Sequence, residues 1–199
     1  MAKPLKVELK FSTLYRPWEA ADLSGDRPVL SQVLFCIRDG KALAVAADGY
    51  ILAVVPVSAE PTVLEDTLIP GYWLADIAKA SRKRKLPQVV LTIADGSVTW
   101  KEDELRRIEL SSLPGFPDWE GLLDCGEERV IPHLAVSAEL LDRLGKALGG
   151  PQLRVRFHGL DKPVSVESLH DPEAKGAAMP LFVFWPEMHA PQAAAAARA

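Results

Sequence analysis

The sequence predicts an α+β protein built from repeated strand–helix–hairpin units, with helices on one face of antiparallel sheets. Three observations carry this. The pairs Asp39-Gly40, Asp48-Gly49 and Asp95-Gly96 each separate runs rich in apolar and β-branched residues, the strongest short-range hairpin signal. Residues 71–84 and 137–148 place apolar side chains at helical spacing. The order of extended residue, helix and hairpin also recurs. Pro70-Gly71-Tyr72-Trp73-Leu74 and Val136-Ser137-Ala138-Glu139-Leu140 open equivalent segments about 66 positions apart, the mark of a supersecondary unit used more than once.

Each element follows from its local pattern. Residues 5–12 alternate, with Leu5, Val7, Leu9 and Phe11 on one face and Lys6, Glu8, Lys10 and Ser12 on the other, as a half-buried strand requires. Residues 17–23 are expected to form a short helix with Pro17 in its first turn. Residues 29–37 and 42–46 make a hairpin through Asp39-Gly40, and 50–57 add a strand closed by Pro56 and Pro61. In the helix over 71–84, Trp73, Leu74, Ile77, Ala78 and Ser81 share a stripe, and Pro87 forbids its continuation. Residues 89–93 and 98–100 form another hairpin, followed by a strand over 105–110.

A Pro- and Gly-rich stretch, Leu113-Pro114-Gly115-Phe116-Pro117-Asp118-Trp119, then marks a boundary. The second helix has Ser137 as N-cap, Leu140, Leu141, Leu144 and Leu148 as its stripe, and Gly149-Gly150 as its stop. Strands are expected at 153–157, 164–168 and 179–185. The division that results is a first domain over 1–115, a connector over 116–128, a shortened second domain over 129–189, and an alanine-rich tail over 190–199 with nothing to pack against.

Composition narrows the function. The formal charge of −4 rules out a polyelectrolyte coat for nucleic acid, so any such contact must come from a local basic surface. The two cysteines, Cys36 and Cys125, are far apart, and Cys36 lies in an apolar run, which reads as a buried, inert thiol. The four histidines, His133, His158, His170 and His189, have no metal-ligand spacing, and no nucleophile elbow or phosphate-cradling glycine loop occurs. The Asp-Gly carboxylates read as turn residues. No enzyme, cofactor or metal is therefore expected. The alternating N-terminus lacks the continuous apolar stretch of a signal peptide or membrane span, so a cytoplasmic protein without membrane contact is expected.

Particular residues narrow the reading further. Pro28-Val29-Leu30-Ser31-Gln32-Val33-Leu34 precedes a hairpin carrying Ala46-Ala47-Asp48-Gly49; Ile69-Pro70 leads into the first helix; Leu91-Thr92-Ile93-Ala94-Asp95-Gly96 forms the next hairpin. Phe116-Pro117-Asp118-Trp119 follows as a connector, and Lys162-Pro163-Val164 and Met179-Pro180-Leu181 close the chain's patterned part. In this order, over roughly residues 28–185, the chain resembles the bacterial sliding clamps, the β subunits of DNA polymerase III. The resemblance implies a DNA-clamp-like fold and a non-catalytic accessory of DNA replication or repair, which associates with duplex DNA, tethers partner proteins, or both.

The resemblance also implies sites and partners. Helix-borne cations would meet the phosphate backbone of double-stranded DNA without sequence preference. Here those are Lys79, Arg82, Lys83, Arg84 and Lys85 at the end of the first helix, and Arg143 and Lys146 on the second. The alternative is that cations near a helix C-terminus only complement its dipole and keep the surface soluble. Polymerase or repair proteins would dock through linear motifs at an apolar groove edged by Met179, Pro180, Leu181 and Phe182; equally, Met179 is an ordinary core residue, and Phe182, Phe184 and Trp185 are core or a protein-binding edge. A homo-oligomer is implied as well. Two departures stand out: the chain holds three half-units, or two domains with one heavily trimmed, where a clamp protomer carries three full domains, and the first long helix is missing or reduced to residues 17–23. They motivate a second reading, a protein-interaction adaptor that keeps the fold without encircling DNA.

Overall fold

The structure is a computed structural model that describes residues 6–22, 24–61, 64–110, 115–131 and 133–181. Within them a helical turn followed by a three-stranded meander occurs three times, led by a strand in the first two. The first unit is β1 (Val7–Ser12), a 3-10 turn at Pro17–Ala20, β2 (Gln32–Arg38), β3 (Lys41–Ala47) and β4 (Ile51–Glu60). The second is β5 (Thr67–Pro70), α1 (Gly71–Lys83), β6 (Gln88–Ala94), β7 (Ser97–Trp100) and β8 (Asp103–Glu109). A connector with the one-turn α2 (Glu120–Leu123) leads to the third, α3 (Ala138–Ala147), β9 (Leu153–Arg156), β10 (Val164–Ser168) and β11 (Lys175–Ala178). Ala135 and Leu181 bridge the two ends of that unit.

All eleven strands join one antiparallel, branched sheet. Along its main path the order is β5-β2-β3-β4-β1-β6-β7-β8. β4 is where it branches. One edge runs along β3, while the other pairs first with β11 (Ala178↔Ile51 to Lys175↔Val54) and then with β1 (Lys10↔Ser58 to Glu8↔Glu60). Pro56, expected to close this strand, instead stands inside it. It falls in the stretch 55–57 that pairs with neither β11 nor β1 on that side, a suitable place for a residue with no amide to donate.

The hairpin turns match their chemistry. Asp39 and Gly40, and again Asp95 and Gly96, all have positive φ, as a two-residue primed turn demands. α1 stops where Lys85 turns left-handed (φ 57°) and the Leu86 amide donates to the Ser81 carbonyl, a Schellman-type ending. α3 stops in the same way at Gly149, with Gly150 N–H donating to Gly145 C=O. Ser137 does occupy the N-cap of α3, although its hydroxyl makes no capping bond.

Two expectations are corrected. The helix expected over 17–23 is a single 3-10 turn ending at Ala20, because Asp22 is drawn out to bond Leu30 C=O through its amide and Ser24 and Arg27 through its carboxylate. Of the strand expected over 179–185, Met179 and Pro180 lie outside any strand, Leu181 forms a single bridge to Ala135, and 182–185 lie outside the described residues; a strand at Lys175–Ala178 was not expected. Its Gly-Ala-Ala composition has little intrinsic strand preference; it forms because small residues let it approach β4 and α3 closely.

Both helices cover one face of the sheet. Beneath them Leu9, Phe35, Leu74, Ile77, Trp100, Leu144 and Leu148 form the main core, with Trp18 of the 3-10 turn wedged between the helices. On the opposite face a smaller core of Leu34, Cys36, Val45, Leu52 and Val54 is roofed by the connector through Phe116, Trp119 and Leu123. Strands β2, β3 and β4 are thus buried on both faces, which accounts for their nearly continuous apolar runs. Arg38 fastens the roof, donating to both Asp66 oxygens (2.9 and 2.8 Å) and to Glu120 (2.8 Å). These bonds from Arg38 hold the Asp66 carboxyl below the usual carboxylate range.

Candidate partner groove and basic surface

Where β11 lies against β4, the two ends of the chain build a shallow apolar groove. The β3–β4 turn supplies Ala47, Gly49, Tyr50, Ile51 and Leu52, and the end of β11 supplies Ala177, Ala178 and Met179. Leu122 of α2 and Pro163 complete the lining. The Met179 amide donates to Tyr50 C=O at 2.8 Å, so the two walls form one continuous piece of backbone ladder. Around the mouth, Tyr50, Leu122 and Met179 are exposed at 61%, 48% and 41%. Large apolar side chains gathered at one place on a surface are a common feature of contact sites.

The turn beneath the groove is held rigidly. Asp48 accepts from the amides of Tyr50 (2.8 Å) and Ile51 (2.9 Å) through one oxygen, and from Arg143 (2.7 Å) through the other. The same guanidinium reaches the carbonyls of Glu19 (2.9 Å) and Ala21 (3.3 Å). Arg143 of α3 therefore ties together the 3-10 turn and the groove-lining turn. Gly49 is needed for its φ of +89°; the nearest group to a Cβ there would be the movable guanidinium tip of Arg27. Arg27 is itself steered by Asp22 at 2.8 Å.

Of the groove residues expected from the sequence, Met179 lines the groove, and Pro180 and Leu181 follow it directly, with Leu181 N–H donating to Ala135 C=O. Phe182 lies outside the described residues. The opposite wall was not foreseen. The Asp48-Gly49 turn was visible as a turn, but nothing local announces that it meets residues near 179.

The expected basic residues fall into two groups. Lys79, Arg82, Lys83, Arg84 and Lys85 are all exposed at the end of α1. Arg84 is engaged with the Glu102 carbonyl (2.9 Å), with Asp103 (3.8 Å) and with the Trp100 ring (4.8 Å), whereas Lys79, Arg82, Lys83 and Lys85 form no ion pair among the described residues. Lys146 is exposed and bonds Asp142 at 2.6 Å, and Arg143 is committed to Asp48. The fold brings Arg82 and Lys146 together with Arg16, a residue of a polar loop with no local signal to single it out, along an open groove of about 840 Å³ between α1 and α3. Partial burial first, and then the charge of Arg16, lower the basicity of Arg82.

Among the described residues no group of three or more His, Cys, Asp or Glu side chains is placed to hold a metal. Both thiols are free and buried, and burial pushes Cys36 up to about 11. No helix of the described residues is long and apolar enough to cross a membrane.

No protein-family model matches this sequence, and no curated protein matches it. Solved structures do match. A DNA polymerase III β sliding clamp from Bartonella birtlesii, bound to griselimycin, superposes with a TM-score of 0.69 at 14% identity, over 92% of this chain and 68% of that one. The sliding clamp of Caulobacter crescentus gives 0.65 at 19% identity over the same shares. The β subunit of Thermotoga maritima gives 0.64 at 12%, over 94% and 68%. The chain has the fold of the bacterial DNA polymerase III β sliding clamp, and spans about two thirds of the length of those clamps.

Proposed function

We propose that this protein is a non-catalytic, clamp-fold accessory of DNA replication or repair, which holds partner proteins by short linear segments laid into the groove between the β3–β4 turn and β11. One observation carries the reading. The chain spans about two thirds of the length of the clamps whose fold it has, and within it both walls of this groove are present, with Met179 hydrogen-bonded to Tyr50 across them. The pocket is apolar, its turn is fixed by Asp48 and Arg143, and the bonded backbones leave little to reorganise when a peptide arrives. Preorganisation of this kind is what lets a small contact area yield useful affinity.

The test is peptide binding. A fluorescent peptide taken from the clamp-binding segment of a bacterial polymerase is expected to bind, and Tyr50→Asp or Met179→Asp is expected to weaken it at least ten-fold. Both side chains are largely exposed, so unchanged thermal midpoints should accompany the loss. Undiminished binding in both variants would sink the groove as the docking site.

A second, compatible activity is supported by the unpaired cations at the end of α1. Lys79, Arg82, Lys83 and Lys85, with Arg84, Arg16 and Lys146 beside them, suit sequence-independent contact with the phosphates of duplex DNA. The triple variant Arg82→Ala/Lys83→Ala/Arg84→Ala is expected to reduce DNA affinity and to flatten its salt dependence by up to about three in log–log slope. Equal binding by variant and wild type would remove the DNA role.

This reading does not require the chain to encircle DNA. β8 ends the main path of the sheet; its pairing with β7 is irregular beside Thr99 and Trp100, and the strand carries Asp103, Glu104, Arg106, Arg107 and Glu109. Charge and irregularity on an edge strand discourage strand addition, which favours an adaptor over a member of a closed ring.

A further inference from the structure

We infer that the third unit docks a second copy of this chain: two third units, related by a two-fold axis, complete each other as the first and second units do within one molecule. The contact uses β9 and α3, not the partner groove, and does not depend on the function proposed above. The first two units show how such units cover one another. Each gives its leading strand to the other. β5 of the second pairs with β2, the first strand after the helical turn of the first; β1 of the first pairs with β6, the first strand after α1. Beneath this exchange Val33, Phe35, Leu74, Ile77 and Leu91 are fully buried.

The third unit has no such neighbour among the described residues. β9, its first strand after α3, pairs with β10 alone; just past its end, Phe157 C=O accepts from Arg129 N–H. The segment leading into α3 bridges Leu181 through Ala135 beyond β11, as β1 pairs with the end of β4, and forms no other bridge. Burial records the missing neighbour. Leu140 stands in α3 where the buried Leu74 stands in α1, yet it is only half-buried, as are Leu141, Leu153, Val155 and Phe157. On β6 the corresponding inward residues Val89, Leu91 and Ile93 are no more than 9% exposed. A half-open apolar face beside a strand paired on one side only invites a further strand and helix.

A second copy supplies what the lone unit lacks, because the lone unit itself offers it. Its residues 133–136 would run along β9 as β1 runs along β6, and its α3 would cover the half-buried leucines. Charge does not oppose the approach: Arg156 and Arg154 of β9 are both held by Glu167 on β10, at 2.6 and 3.6 Å. The exchange between the first two units is reciprocal, so two identical units can make it about a two-fold axis, and a contact of that kind closes with two molecules. It yields a pair, not a ring or a filament.

The test is the mass of the full chain in solution. Sedimentation equilibrium is expected to show a dimer that dissociates on dilution, with a thermal midpoint that rises with protein concentration. Val155→Asp should weaken the dimer by about 100-fold or more, since a two-fold contact carries each substitution twice, and should abolish the concentration dependence. Its far-ultraviolet circular dichroism should match the wild type's. Leu105→Asp, at a side chain 95% exposed on β8, is the control and should leave the dimer intact. Hydrogen exchange on the unaltered chain probes the edge without any substitution: amides within Leu153–Arg156 should exchange about ten-fold more slowly in concentrated than in dilute protein. A monomer at every concentration up to about 0.1 mM, or exchange of β9 that ignores concentration, would overturn the contact. So would a dimer broken by Leu105→Asp but not by Val155→Asp, or oligomers that grow past two.

Discussion

Arg143→Ala is expected to lower the unfolding free energy by about 3 kcal/mol, and to weaken the binding of any peptide in the groove although Arg143 does not line it. The side chain of Asp48 is 7% exposed and that of Arg143 24% exposed. Removing the guanidinium leaves a buried carboxylate with one oxygen unmatched and releases the carbonyls of Glu19 and Ala21. Leaving one member of a buried pair behind costs more than the pair was worth, because the orphan keeps its desolvation penalty. Arg143→Lys should recover only part of the loss, since an ammonium cannot span three acceptors in one plane. Urea unfolding of the wild type, Arg143→Ala, Asp48→Asn and the double variant would measure the coupling. Additive effects within about 0.5 kcal/mol would show that the two residues do not act as a unit.

Gly176→Ala is expected to be nearly as damaging as Gly176→Val, at about 3 kcal/mol or more. A Cβ at this position would stand 2.2 Å from the Leu52 carbonyl oxygen and 3.1 Å from Leu144. The obstacle is backbone held in a ladder with β3 on its other side, so it cannot swing away as a side-chain tip would. The clash comes from the first carbon, so the size of the substituent matters little, and that equality distinguishes close backbone approach from ordinary core overpacking. Gly115→Ala, where a Cβ meets nothing within 4 Å, is the control and should leave the urea midpoint unchanged. A mild Gly176→Ala beside a severe Gly176→Val would contradict the account.

Much of the fold was legible because its signals are local. Alternation in β1, the Asp-Gly turns and the Leu and Ile stripes of α1 and α3 are each written within a dozen residues. β11 was missed because Lys175-Gly176-Ala177-Ala178 has no strand signature of its own; what makes it a strand is Ile51, Leu52, Ala53 and Val54, far away in sequence. The same separation hid half of the groove. Met179 could be singled out from the clamp resemblance, whereas Tyr50, Ile51 and Leu52 become groove residues only through that long-range pairing. Arg143, read as a cation for DNA, shows the limit of helical position as a guide. It lies off the Leu stripe, yet the 3-10 turn that replaces a longer helix leaves open carbonyls and Asp48 within its reach. Arg16 was passed over because it stands in a polar loop; only the fold carries it to Arg82.

The double use of β4 changes what the third unit is for. A strand whose residues 51–54 faced water would present an unpaired ladder of amides and carbonyls on an almost wholly apolar stretch, an invitation to aggregate. In an assembly of similar units a neighbouring molecule can cover such an edge. Here β11 covers it from within the same polypeptide, so the third unit serves as an end cap. The edge of β4 over residues 51–54 is thus shielded within one polypeptide, and the surface created by that shielding is the groove.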